Sequence, residues 1–184
     1  MKHSYQPPLN THKDNLNIFS TLCTNMSLTL PPTLAPRIKP GHYKGANDKR
    51  GEAMAYQETT RDIKIRVEPS YMSDQSQPSS DRYFWAYRIT IENLSDTTVR
   101  LLRRYWRLID ADGSVEEVHG VGVVGETPIL APGEEYSYTS GVPLTTPSGM
   151  MQGSFEMVTD KGDVFSVQIP SFSLDSPHHV KTVH

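Results

Sequence analysis

Val118-His119-Gly120-Val121-Gly122-Val123-Val124-Gly125-Glu126-Thr127-Pro128 spells Gly-x-Gly-x-x-Gly, the pyrophosphate fingerprint of a dinucleotide fold, in surroundings that cannot serve one. In a dinucleotide-binding unit the glycines end a parallel strand and open a helix, whose N–H groups and dipole hold the pyrophosphate. Here Pro128 and Pro132-Gly133 interrupt the residues that follow, and these are too few and too β-branched to begin a helix. The stretch therefore reads as a glycine-rich crossing between strands.

Outward from it the chain alternates as strands do. Ile63, Ile65 and Val67 alternate with Lys64, Arg66 and Glu68, giving a strand with one buried face. Tyr71 to Asp81, rich in Ser, Gln and Pro, reads as a loop. Tyr83, Trp85, Tyr87, Ile89 and Ile91 then alternate over a whole strand that ends at the turn Glu92-Asn93-Leu94-Ser95-Asp96. Val99 to Ile109 is ambiguous. Arg100, Arg103, Arg104 and Arg107 have the spacing of one polar helix face, with Leu101, Leu102, Tyr105, Trp106 and Leu108 opposite. The hairpin signal Asp110-Ala111-Asp112-Gly113 and the β-rich run Ser114 to Val118 assign the segment to a strand instead. Further strands are expected at Ile129-Leu130, Tyr136 to Ser140, Met150 to Val158 and Val164 to Ile169. Ala131-Pro132-Gly133, Val142-Pro143, Thr146-Pro147-Ser148-Gly149 and Thr159-Asp160-Lys161-Gly162 separate them. Seven or more short strands at this spacing predict an all-β, antiparallel sandwich.

With 184 residues, 36% of them hydrophobic, the chain has material for one core rather than two full domains. Residues 1–53 hold seven Lys/Arg against three Asp/Glu, and residues 54–184 hold eleven against eighteen. The acidic balance of the second part disfavours non-specific nucleic-acid binding, which needs several cationic contacts to phosphate. Six of the fourteen prolines fall in residues 1–53, which lack sustained periodicity, so this segment is expected to be disordered and the folded domain to span 54–184. Cys23 is the single cysteine, which excludes an intramolecular disulfide and a cysteine-based zinc site. A cytoplasmic setting fits, and no run approaches the roughly 20 apolar residues of a membrane span.

Arg104-Tyr105-Trp106, Asp110-Ala111-Asp112-Gly113, Val118 to Gly125, Pro132-Gly133-Glu134, Tyr138-Thr139-Ser140-Gly141 and Gly149-Met150-Met151-Gln152-Gly153 occur in an order and spacing that resemble the ApaG family. The resemblance covers roughly residues 58–175, continuing through Phe165 to Pro170 and Phe172-Ser173-Leu174. It implies an immunoglobulin-like sandwich of the fibronectin type III kind and an amino terminus only a few residues ahead of the first strand. Residues 1–53 are then either a disordered extension or a non-native one, with Met54 as the natural initiator. It also implies an association with cobalt resistance and magnesium efflux without a defined reaction, recognition roles in related eukaryotic domains, and nucleotide or pyrophosphate binding by the glycine motif. Where the family most often has Gly-Glu-Gly, this chain has Gly120-Val121-Gly122, which removes a carboxylate and weakens a cation site there.

Closely spaced glycines permit positive φ and close approach, and these serve a turn or bulge as readily as an anion nest. The turn reading leads. The alternative is a phosphate or pyrophosphate site built from Gly120, Gly122 and Gly125 with Arg104 beside them. His119 lacks companion ligands, and Glu116 and Glu117 point to opposite sheet faces. His178-His179 with Asp175 could hold a transition metal only adventitiously. Ser137, Ser140, Ser148 and Ser154 have no adjoining base. Trp85 and Trp106 are expected in the core, and at least one of Met150 and Met151 at the surface. The expectation is a binding domain without catalysis, cofactor or metal that engages a protein partner, with an open sheet edge available for homodimerisation.

Overall fold

The structure is a computed structural model that describes residues 55–177. The expectations for residues 1–53, Met54 and His178-His179 lie outside the described residues. Two antiparallel sheets form a sandwich. One has the strand order β1 (Tyr56–Thr60), β2 (Ile63–Tyr71), β3 (Tyr83–Asn93), β7 (Glu135–Leu144). The other has the order β5 (Val115–Val121), β4 (Val99–Asp110), β8 (Ser148–Thr159), β9 (Val164–Asp175), with the short β6 (Ile129–Leu130) also on β4.

The alternation read from sequence is the alternation that packs. Ile63, Ile65 and Val67 on β2, and Trp85, Tyr87, Ile89 and Ile91 on β3, turn inward and are buried. Trp106 lies across from them, its ring 5.5 Å from Tyr87, 6.1 Å from Phe172 and 6.5 Å from Phe155, each near edge-to-face. Both tryptophans are core anchors, at 2% and 1% exposure. Removing the Trp106 ring would forfeit packing of roughly 3–5 kcal/mol.

The helical spacing of the β4 arginines has a strand explanation. A register shift between Leu101 and Arg103 marks a β-bulge, which doubles one step of the alternation. Val99 and Leu101 point inward before the bulge, and Arg104, Trp106 and Leu108 share that face after it. Arg100, Arg103 and Arg107 point outward. The strands also run further than their sequence signals. β7 passes through Pro143, which an edge strand tolerates, and β9 passes through Pro170 opposite a second register shift between Met151 and Gly153. The Tyr71–Asp81 loop contains two 3₁₀ turns, Ser73–Gln75 and Pro78–Ser80, and Tyr71 itself ends β2. One strand had no sequence signal: β1 joins β2 through Arg61 and Asp62, both at positive φ. Tyr56 fixes it to the opposite sheet, its ring 6.1 Å from Phe172 and its hydroxyl 3.0 Å from that of Ser173.

Candidate functional site

The glycine stretch leaves β5 as a closed hairpin. Val123 N–H donates to the Glu126 carbonyl at 2.8 Å and Glu126 N–H returns to the Val123 carbonyl at 2.9 Å. The two residues between them, Val124 and Gly125, have φ of 44° and 84°, the signature of a type I′ turn. Gly122, at φ 59°, is constrained twice, because a Cβ there would also collide with the Glu126 carbonyl oxygen. Gly120 has ordinary backbone. It is bare because a Cβ would stand 2.6 Å from the Arg104 guanidinium.

Arg104 reaches that position because the β4 bulge turns it inward. Its Nη1 donates to the carbonyls of Val121 at 3.0 Å and Gly122 at 2.8 Å, so the guanidinium holds the hairpin neck from beneath. The structure thus brings Gly120, Gly122 and Arg104 together, with Gly125 at the tip. Two of the donors are committed inward: Gly122 N–H bonds the Leu102 carbonyl at 2.9 Å, and Gly120 stands opposite Arg104 in the β4–β5 ladder. The crevice below, lined by Tyr87, Arg104, Trp106, Val123, Tyr138 and Ser140, has about 10 Å³ of free volume. That is the lower limit for a single water.

The remaining arginines of β4 each have a partner. Arg100 donates to Thr127 Oγ1 at 2.9 Å, Arg103 lies 3.7 Å from Glu156, and Arg107 lies 3.9 Å from Glu117. Glu126 is held in turn by the Tyr136 hydroxyl at 3.0 Å. Partial burial and that hydrogen bond push the Tyr136 phenol up to about 12. His119 lies against the Tyr105 ring at 4.8 Å on the outer face, and the Tyr105 hydroxyl donates to Glu117 at 2.8 Å. This bond to a carboxylate raises the Tyr105 phenol above its ordinary value. Among the described residues no group of three or more His, Cys, Asp or Glu has metal-binding proximity, and no helix is long and apolar enough to cross a membrane.

The outer face of the five-stranded sheet carries a feature that the sequence did not reveal. Six large hydrophobic side chains are exposed among the described residues, and five of them sit on this face. Val121 is 71% exposed, Ile129 61%, Val164 54%, and Val115 and Met150 46% each. Strand register sets them in cross-sheet rows: Val115, Ile109 and Met150 at one end, and Ile129, Arg100, Val158 and Val164 at the other. Between the rows stand Arg103 with Glu156 and Arg107 with Glu117. The outer face of the other sheet is different. Lys64, Arg66, Glu68, Arg88, Glu92 and Glu135 line an open depression of about 310 Å³ there, with Lys64 paired to Glu92 at 3.2 Å and Arg66 to Glu68 at 2.9 Å.

The family model described as the ApaG domain matches residues 73–159. Protein ApaG of Parvibaculum lavamentivorans is 57% identical over 129 residues, covering 70% of this chain and 99% of that protein. Protein ApaG of Agrobacterium fabrum is 55% identical over 122 residues, covering 66% of this chain and 94% of that protein. The crystal structure of a Bordetella pertussis protein designated ApaA superposes with a TM-score of 0.62 at 42% identity, covering 64% of this chain and 96% of that one.

Proposed function

From the premise that this chain belongs to the ApaG family, we propose that it is a non-enzymatic binding domain that recognises another protein through the outer face of its five-stranded sheet. The observation that carries this reading is the gathering of Val115, Val121, Ile129, Met150 and Val164 on one face. Large apolar side chains in water cost free energy that a partner recovers by covering them, about 25 cal/mol per Å² of apolar surface. The Arg103–Glu156 and Arg107–Glu117 pairs between them define the partner's chemistry: an apolar surface that carries both signs of charge.

The glycine hairpin is, in this reading, the framework of the face rather than a ligand site. Arg104 and the type I′ turn hold the segment between Val121 and Ile129, so both side chains stand at fixed positions. Val121, 71% exposed at the neck of the hairpin, makes this position a contact for an apolar surface.

Affinity capture from cells that express the chain tests the proposal. The wild-type chain and an Arg88→Glu variant, altered on the opposite face, are expected to retain the same partner. An Ile129→Glu/Val164→Glu variant is expected to lose it. Capture that is unaffected by the double substitution, or no partner that depends on either face, overturns the reading.

A further inference from the structure

β5 is a sheet edge, and its hydrogen-bond parity can be read directly. Asp110 N–H donates to the Ser114 carbonyl at 3.1 Å just before the strand, and Gly122 N–H donates to the Leu102 carbonyl at 2.9 Å just after it. With the register between them unbroken, even-numbered residues spend their backbone groups on β4. Val115, Glu117, His119 and Val121 therefore direct theirs outward, the Val121 carbonyl also accepting from Arg104. The strand has neither a lysine nor a proline to block pairing.

We propose that two copies of this chain pair through β5, antiparallel, about a two-fold axis at Val118. The parity of the edge permits several registers, and the side chains select among them. Centred on Val118, the outer face sets Val115 against Val121 of the second copy and Glu117 against His119 of the second copy, and each pair repeats by symmetry. His119 presents an N–H to the carboxylate in either protonation state. On the inner face Glu116 stands opposite Gly120 of the second copy, which has no side chain and is covered by the Arg104 guanidinium. A carboxylate thus meets a cation on that face too. Sliding the register by two residues in either direction sets Glu117 against Glu117 or His119 against His119, and both faces lose their complementarity. The occupant that matches this edge is a second β5. Pairing joins two five-stranded sheets into one continuous layer, by the edge-strand addition that many peptide complexes use.

This inference rests on the edge and not on the outer-face reading, and it stands if that reading fails. Sedimentation velocity of the full chain from micromolar to millimolar concentration is expected to show a monomer–dimer equilibrium. Glu117→Lys should weaken dimerisation by about tenfold, and adding His119→Glu should restore it by exchanging the pair. His119→Pro, which removes an outward N–H and spares the bonds to β4, should leave a monomer whose thermal unfolding confirms that it is folded. If His119→Pro fails to fold, the charge exchange still decides. A monomer at all concentrations, a dimer indifferent to Glu117→Lys, or a loss that His119→Glu does not restore overturns the proposal.

Discussion

Gly122 and Gly125 both sit at positive φ, yet they are glycines for different reasons. A Cβ at Gly125 would meet open space, so its conformation alone selects it. A Cβ at Gly122 would enter the Glu126 carbonyl, part of the hydrogen-bonded pair that closes the turn. Gly125→Ala is therefore expected to cost about 1–2 kcal/mol, the price of a left-handed L-residue. Gly122→Ala should cost more, because the turn must also open. Urea unfolding of the two variants compares them, and equal losses would contradict the assigned geometry. The sequence showed that these glycines make a turn, because proline and β-branched neighbours left no helix for a nucleotide. It could not show which N–H groups the fold consumes. The Gly122 donor goes to Leu102, a residue twenty positions away in the chain, so the anion alternative could be weighed only with the ladder in view.

At the scale of elements, β4 shows how a local pattern misleads and how neighbours correct it. Its arginines had helical spacing, and the hairpin signal after Ile109 assigned it to a strand. The bulge at Leu102 reconciles the two, since one extra residue makes a strand repeat resemble a helical one. Deleting Leu102 would leave Val99, Leu101, Arg104, Trp106 and Leu108 in plain alternation on the inner face, and would take from Gly122 N–H the carbonyl it bonds. We expect a folded variant destabilised by about 1–3 kcal/mol, the cost of the unsatisfied Gly122 N–H, with native dispersion in its amide NMR spectrum. A variant that fails to fold would show that Leu102 is more than the extra residue of the bulge. β1 was illegible for the opposite reason. As an exposed edge it needs little alternation, and its turn uses Arg61 and Asp62 where a glycine would have marked it. The longer reach of β7 and β9 was hidden by Pro143 and Pro170, tolerated at an edge and beside a register shift.

For the whole molecule, the sandwich was legible because each sheet needs one buried face, and alternation records which residues supply it. The candidate recognition face was not legible. Val115, Val121, Ile129, Met150 and Val164 are scattered over fifty positions and gather only when β4, β5, β6, β8 and β9 are in register. Its assignment as a recognition surface can be read position by position with a photo-activatable amino acid incorporated singly at Ile129, Val164 or Arg88 in living cells. The account predicts covalent adducts to one and the same protein from Ile129 and Val164, and none to that protein from Arg88 on the opposite face. Adducts from Arg88 alone, or different bystanders from every position, would contradict it.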